Sequence, residues 1–187
     1  MTPPTRRRSV ATLLAGVVVL LVSACSSATA PGGVVEWREL TIDLPAQWVE
    51  TNRTDTSLSV GDGPGSTEPG ERGELYVSTQ LTIEPGTTAD DWRAFVEEQG
   101  ATLERDTSTT VGTLPATLIQ YSFTTNGIPT RERVVVVASR DLVLVQQPVP
   151  MQGETEGPAW FDEHVDEFDA LLDGISFGAP EDYLEDG

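Results

Sequence analysis

Two apolar runs lie close together in the chain and restrict its fold more than any other feature. They are residues 134–137, four consecutive Val, and residues 142–145, Leu-Val-Leu-Val. The dipeptide Arg140-Asp141 between them favours a turn, so the pattern predicts two neighbouring antiparallel strands. Because strands that are apolar at every position need cover on both faces, we expect helices to pack against this sheet.

Strands account for most of the other predicted elements. Residues 75–83 alternate strictly, which is typical of a strand with one buried face. A strand around residues 36–44, a turn at Pro45 and a second strand open the domain, and Ile175–Phe177 adds a short strand at its end. Asn126-Gly127 is a strong hairpin signal between two longer strands, although Ile128-Pro129 lengthens the turn. The longer antiparallel strands are predicted at 102–111, 116–124, 131–139 and 141–149.

Two helices are predicted. The first begins at Thr88, which approximates a capping box with Asp91 three residues later, and it ends at Gly100. The second spans residues 157–173 and ends at Gly174. The residues at helical spacing are Trp92, Phe95, Val96 and Gln99 in the first helix, and Phe161, Val165, Phe168 and Leu172 in the second.

The charge of the chain argues against nucleic acid as a partner. Its 187 residues contain 30 Asp or Glu and 11 basic residues, all of them Arg, which gives a formal net charge of -19. So acidic a surface repels phosphate backbones and offers no positive groove for them.

The first 25 residues have the features of an export signal. Arg6, Arg7 and Arg8 precede residues 10–22, an uncharged stretch of 13 residues that is too short to span a membrane. The sequence Val22-Ser23-Ala24-Cys25 that follows resembles the bacterial lipobox. This resemblance implies that residues 1–24 are a lipoprotein signal peptide and that Cys25 is the lipidation site, carrying acyl chains such as palmitate.

Two alternatives stay open for this segment. The first is an ordinary secretory signal that has a Cys at its cleavage site. The second concerns the export route, because the residues are compatible with both the Sec and the twin-arginine route. Cys25 is the only Cys in the chain, so an internal disulfide is excluded.

The remaining chain divides into three parts. Residues 25–33 are small and uncharged after Cys25, which predicts a flexible spacer. Residues 34–177 have the size of one folded domain, and residues 178–187 form an acidic tail. Within the domain, residues 61–73 contain five Gly and two Pro, a composition that predicts a loop.

The order of several motifs resembles a known family. The motifs are Asp43-Leu44-Pro45 before Trp48, then Gly112-Thr113-Leu114-Pro115-Ala116, and finally the run from Leu171 to Phe177. Together they resemble the actinobacterial LpqN/LpqT-type lipoproteins, which have a PsbP-like fold. The resemblance implies an α+β domain over residues 34–177, an α/β/α sandwich whose central antiparallel sheet is covered by two main helices. It also implies a non-catalytic binding or adaptor role.

No catalytic, cofactor-binding or metal-binding residue is expected, and we do not expect an enzyme. His164 is the only His, and its place at the edge of an apolar helix face favours a partly buried structural residue. The acids of the same helix are expected to form a solvated face rather than a calcium loop. Among the four Trp residues, Trp160 is the best candidate for an exposed contact.

The sequence therefore predicts a lipoprotein anchored by Cys25 on the extracytoplasmic face of the cell membrane. We expect it to bind a protein or small ligand of the envelope, with an unknown envelope or secreted protein as partner. The alternative is a small envelope hydrolase or ligand-carrying lipoprotein with a site between sheet and helices. A deep pocket lined by His164 or by convergent carboxylates favours the alternative, and a filled core with an exposed apolar patch favours the binding role.

Overall fold

The computed structural model describes residues 32–62, 76–125, 127–149 and 157–178. The signal peptide at 1–24, Cys25 and the spacer up to residue 31 lie outside the described residues. So do residues 63–73 of the predicted loop, residues 74 and 75, and the tail from residue 179. Within the described ranges, the chain forms two antiparallel sheets and three α-helices. It is a strand-rich α+β protein.

The larger sheet has seven strands. Its spatial order is β3-β4-β5-β9-β8-β7-β6, and each neighbouring pair is antiparallel. A 3₁₀ turn, Ala138–Arg140, joins the two central strands β8 and β9. The strands are β3 (Val49–Arg53), β4 (Ser57–Gly61), β5 (Tyr76–Ile83), β6 (Thr102–Val111), β7 (Leu114–Thr125), β8 (Ile128–Val137) and β9 (Leu142–Val149).

The smaller sheet corrects the prediction for the first strand. It contains β1 (Val34–Trp37), β2 (Leu40–Asp43) and β10 (Ile175–Phe177), with β2 in the centre. The strand predicted over 36–44 is in fact a tight hairpin, which turns at Arg38 with a φ of 54°. Within each strand every second side chain is buried, but two exposed or half-buried residues, Arg38 and Glu39, lie between the last buried residue of β1 and the first of β2. The buried side chains are Val35, Trp37, Leu40 and Ile42.

Strands β8 and β9 separate two hydrophobic clusters, as their apolar runs predict. Val135 and Val137 pack in one cluster with the smaller sheet, and Val134 and Val136 pack in the other. The exposed fraction of all four side chains is 3% or less. Both faces of these strands are therefore buried.

Helix α1 (Ala89–Glu98) covers part of one face of the larger sheet, against β6 and β7. The predicted capping box is confirmed, since Thr88 Oγ1 accepts from the Asp91 backbone N–H at 3.3 Å and Asp91 Oδ2 accepts from the Thr88 N–H at 2.8 Å. Gly100, with a φ of +66°, follows the helix as expected. Of the residues at helical spacing, however, only Val96 is buried.

The prediction of one continuous helix over residues 157–173 is wrong, because the structure has two helices there. The chain forms α2 (Gly157–Glu163) and α3 (Val165–Asp173), which are separated at His164. In an unbroken helix, Phe161 and Phe168 are about 10 Å apart along the axis. The break brings their ring centroids to 5.2 Å, and both side chains are fully buried. Contact between these rings therefore accompanies the interruption.

Candidate functional site

A groove of about 820 Å³ opens beside the C-terminal end of α1. Trp92 and Phe95 of α1 line it together with Tyr121 and Phe123 of β7 and Glu132 of β8. We call it the aromatic groove. It contains both apolar surface and charged groups, a combination that is typical of ligand sites.

The aromatic groove exists because β7 and β8 extend further than their neighbour β6. Strand β6 begins at Thr102, opposite Ser122, whereas β7 and β8 continue to the pair Thr125 and Ile128. Before Thr102 the chain turns away through Gly100 into α1. The projecting end of the β7–β8 hairpin and the end of the helix therefore leave a space between them.

The aromatic side chains of the groove form two pairs. The rings of Trp92 and Phe95 meet edge to face with centroids 5.3 Å apart, and those of Tyr121 and Phe123 stack at 5.9 Å. Phe95 is 42% exposed although it lies among the residues predicted to face the sheet. Leu103, opposite Tyr121 in the sheet, is also exposed. Phe95 and Leu103 are thus two large apolar side chains that the described residues leave uncovered.

Tyr121 and Glu132 form a polar pair within the aromatic groove. They are directly opposite each other on β7 and β8, and the Tyr121 hydroxyl donates to Glu132 Oε2 at 2.7 Å. Burial raises the pKa of Glu132, although the hydrogen bond from Tyr121 opposes this. Burial, followed by the nearby charge of Glu132, also raises the pKa of Tyr121. Among the described residues, no other group donates a hydrogen bond to Glu132.

Arg131 also lines the groove, but its charge is already matched. Its guanidinium approaches Glu104 at 2.7 Å and Asp162 at 2.5 Å. Glu104 also accepts from Gln120 Nε2 at 3.0 Å. Burial raises the pKa of Glu104, but the hydrogen bonds from Gln120 and Arg131 outweigh burial and hold that pKa below its usual range. Two carboxylates therefore surround one guanidinium.

A second polar cluster lies on the opposite face of the sheet. Arg133 is fully buried, donates from Nε to Gln146 Oε1 at 2.6 Å and pairs with Asp169 at 2.8 Å. Its guanidinium lies 5.5 Å from the ring centroid of Phe168, whose carbonyl accepts from Gln146 at 3.2 Å. Desolvation lowers the pKa of Arg133. This cluster fastens α3 to β8 and β9.

The residues singled out in the sequence do not converge on the groove. His164 is half-buried between α2 and α3, and its carbonyl accepts from the N–H groups of Glu167 and Phe168. The side chain of Trp160 lies outside the described residues. Two of the helix acids expected to form a solvated face, Asp162 and Asp169, are exposed, and they also form ion pairs with Arg131 and Arg133 of β8. Within the described ranges, no three His, Cys, Asp or Glu side chains come together as a metal ion requires.

Sequence reasoning missed the groove pair although a signal for it was present. The two-residue turn that Asn126-Gly127 favours would place Tyr121 opposite Glu132, as the structure does. The predicted strands 116–124 and 131–139 assume a longer turn and therefore another register. The position of α1 relative to this pair has no comparable local signal. Neither the pair nor the groove around it was therefore predicted.

Comparisons with known proteins give no family for the chain. No family model matches it, and no curated protein matches it. A solved structure from Bacteroides thetaiotaomicron is 12% identical with a TM-score of 0.44, and the alignment covers 80% of this chain and 50% of that one. This chain thus spans about half the length of the Bacteroides chain.

A second solved structure is a protein of unknown function from Pseudomonas aeruginosa, described as a putative regulator. It is 14% identical with a TM-score of 0.43, and the alignment covers 75% of this chain and 93% of that one. With TM-scores below 0.5, the two structures assign neither a family nor a function. None of the helices in the described ranges has the length and apolar composition of a membrane span.

Proposed function

We propose that the protein is a lipid-anchored binding module on the extracytoplasmic face of the cell membrane, and that the aromatic groove holds its partner. The observation that carries the binding role is the groove itself, where exposed Phe95 and half-buried Trp92 adjoin a desolvated carboxylate. Uncovered aromatic side chains beside charged groups mark binding surfaces in soluble domains.

The anchoring part of the proposal rests on the sequence. Val22-Ser23-Ala24-Cys25 follows a basic and then an apolar segment, and Cys25 is the only Cys. A residue that carries two or three acyl chains holds a protein stably on a membrane. The partner is then an envelope or secreted protein.

We also propose that the module is non-catalytic. His164 is not among the residues that line the groove, and Glu104 there is engaged by Arg131 and Gln120. The alternative of a small envelope hydrolase therefore receives less support, because His164 does not line the groove and the carboxylate of Glu104 is already held by Arg131 and Gln120.

The finer fold assignment is also a proposal. We propose a PsbP-like α/β/α sandwich of the LpqN/LpqT type, which is supported by α1 on one side of the larger sheet and α2 and α3 on the other. An experimental structure that superposes on a solved LpqN/LpqT-type protein over most of the domain supports it. A superposition limited to the central strands would contradict it.

Photo-crosslinking in the native cells tests the proposed site. A benzophenone side chain in place of Phe95 projects from the groove and should capture a discrete envelope protein. The matched control is the same group in place of Asn52, an exposed residue of β3 at the opposite edge of the sheet. If both positions capture the same proteins, or neither captures any, the groove is not the binding site.

A further inference from the structure

Among the residues that the structure describes, no cation pairs with the carboxylate of Glu132. Its hydrogen-bond donor is a neutral phenol, and within the described ranges no ion pair reaches it. The nearest basic residue in sequence, Arg131, is engaged by Glu104 and Asp162, and Arg133 is engaged on the other face of the sheet. A desolvated charge without a counter-ion is unfavourable for the protein alone.

The groups around Glu132 suit a cation better than an anion or a neutral ligand. Trp92, Phe95 and Phe123 line the same groove, and aromatic faces attract ammonium and guanidinium groups. Glu104 and Asp162 together exceed the charge of Arg131, so the surroundings are acidic. The whole chain, with a net charge of -19, adds a field of the same sign.

We infer that the aromatic groove receives an Arg or Lys side chain from an extended segment of the partner protein, with Glu132 as its counter-ion. This inference rests on the proposed function. It names the chemistry of the partner that the groove holds.

A protein segment fits the groove better than a small amine. The groove is open and, at about 820 Å³, exceeds the volume of an ammonium or guanidinium group several-fold. Beyond Ser122, no described strand pairs with β7 on the side of β6. An extended segment can therefore lie beside Phe123 and Thr124 while one basic side chain enters the groove, as in strand addition to a sheet edge.

A peptide titration tests the inference. The probe is the acetylated and amidated peptide Gly-Ser-Arg-Ser-Gly, and its match has citrulline in place of Arg, which keeps the shape and removes the charge. The mature chain is kept in maltoside micelles, because this detergent has no ammonium head group. Binding is followed by the NMR signal of the Trp92 indole N–H, which a Trp92→Phe variant assigns.

We expect the Arg peptide to shift the Trp92 signal saturably and to bind about tenfold or more tightly than the citrulline peptide. In Glu132→Gln, which keeps an acceptor for Tyr121, the two peptides should bind alike. The control Glu97→Gln removes an equal charge from an exposed position of α1 outside the groove and should keep the preference.

Equal affinity for the two peptides, or a preference that persists in Glu132→Gln, would overturn the inference. So would choline binding as tightly as the Arg peptide, since the groove would then be a site for small ammonium compounds. If neither peptide binds while Phe95 still crosslinks to a partner, the inference is wrong and the proposed function stands. If crosslinking fails as well, both are wrong.

Discussion

At the scale of single residues, Glu132 lines the aromatic groove and lowers the stability of the folded protein at neutral pH. Its folded pKa is raised by burial, so the folded state binds the proton more tightly than the unfolded state does. The protonated Glu132 side chain therefore adds to the free energy of unfolding. This contribution is complete below the ordinary pKa of glutamate, about 4.3, and is lost as the pH rises through the pKa of the folded state. At neutral pH the carboxylate therefore opposes folding.

Glu132→Gln should for this reason raise the free energy of unfolding at pH 7 and have little effect near pH 4. The substitution removes the ionisation but keeps an oxygen that accepts from Tyr121. Urea denaturation at the two pH values measures the difference. A loss of stability at pH 7 would contradict the assigned cause of the pKa shift.

Tyr121→Phe is the matched control. It keeps the ring that stacks on Phe123 and removes the hydroxyl that donates to Glu132. A buried charge that loses a hydrogen-bond donor costs about 1–3 kcal/mol, so this variant should be less stable than the wild type at pH 7. The two variants thus change stability in opposite directions although they affect the same hydrogen bond.

At the scale of elements, α1 determines the position of half of the groove. Its N-terminus is held by the capping box of Thr88 and Asp91, and its last turn carries Phe95 towards the groove. We therefore expect loss of the cap to loosen the hydrophobic cluster in which Val96 is buried and against which Trp92 packs.

Thr88→Ala should lower the free energy of unfolding by about 1 kcal/mol, because it removes the side-chain oxygen that accepts from Asp91 N–H. It should also weaken partner capture at Phe95. Thr88→Ser keeps the oxygen and should restore both properties, as thermal denaturation and crosslinking would measure. Equal stability of the Ala and Ser variants would mean that the cap does not hold the helix.

The sequence predicted those helices and strands whose position depends on residues close together in the chain. The capping box set the start of α1, and the apolar runs in β8 and β9 identified strands covered on both faces. The break at His164 was not predictable in this way, because Phe161, Val165, Phe168 and Leu172 fit one continuous helix equally well. Contact between the Phe161 and Phe168 rings depends on the packing of both helices against the sheet.

The same distinction applies to the groove. The register that places Tyr121 opposite Glu132 follows from the sequence only for a two-residue turn at Asn126-Gly127, whereas the predicted strands assume a longer turn. The exposure of Phe95 does not follow from the sequence, because helical spacing alone suggests that it faces the sheet. Where α1 lies across β6 and β7 is decided by packing between elements distant in the chain.

At the scale of the whole molecule, the charges divide between the predicted export signal and the domain. Three of the 11 Arg residues are Arg6, Arg7 and Arg8, so cleavage before Cys25 leaves eight Arg against 30 acids. A domain of this charge beside an anionic membrane is repelled from the lipid surface. In the proposed lipoprotein, the predicted spacer at 25–33 would give the groove access to proteins of the envelope.

Cys25→Ser should abolish lipid attachment and move the protein from the membrane to the soluble fraction of the envelope or the medium. Fractionation with detection of the protein measures the change. The control Ser26→Ala alters the neighbouring residue and should leave the protein in the membrane. An unchanged membrane fraction in Cys25→Ser would refute the lipobox.

Strand β8 places neighbouring residues in separate energetic environments. Glu132 contacts Tyr121 in the groove, whereas Arg133, the next residue, contacts Gln146 and Asp169 beyond the sheet. Because these two side chains lie on opposite faces of the sheet and share no partner, we expect their substitutions to be closer to additive than those of Tyr121 and Glu132. Tyr121 and Glu132, eleven residues apart in the chain, should not be additive. Energetic coupling in this molecule thus follows the faces of the sheet and not the order of the chain.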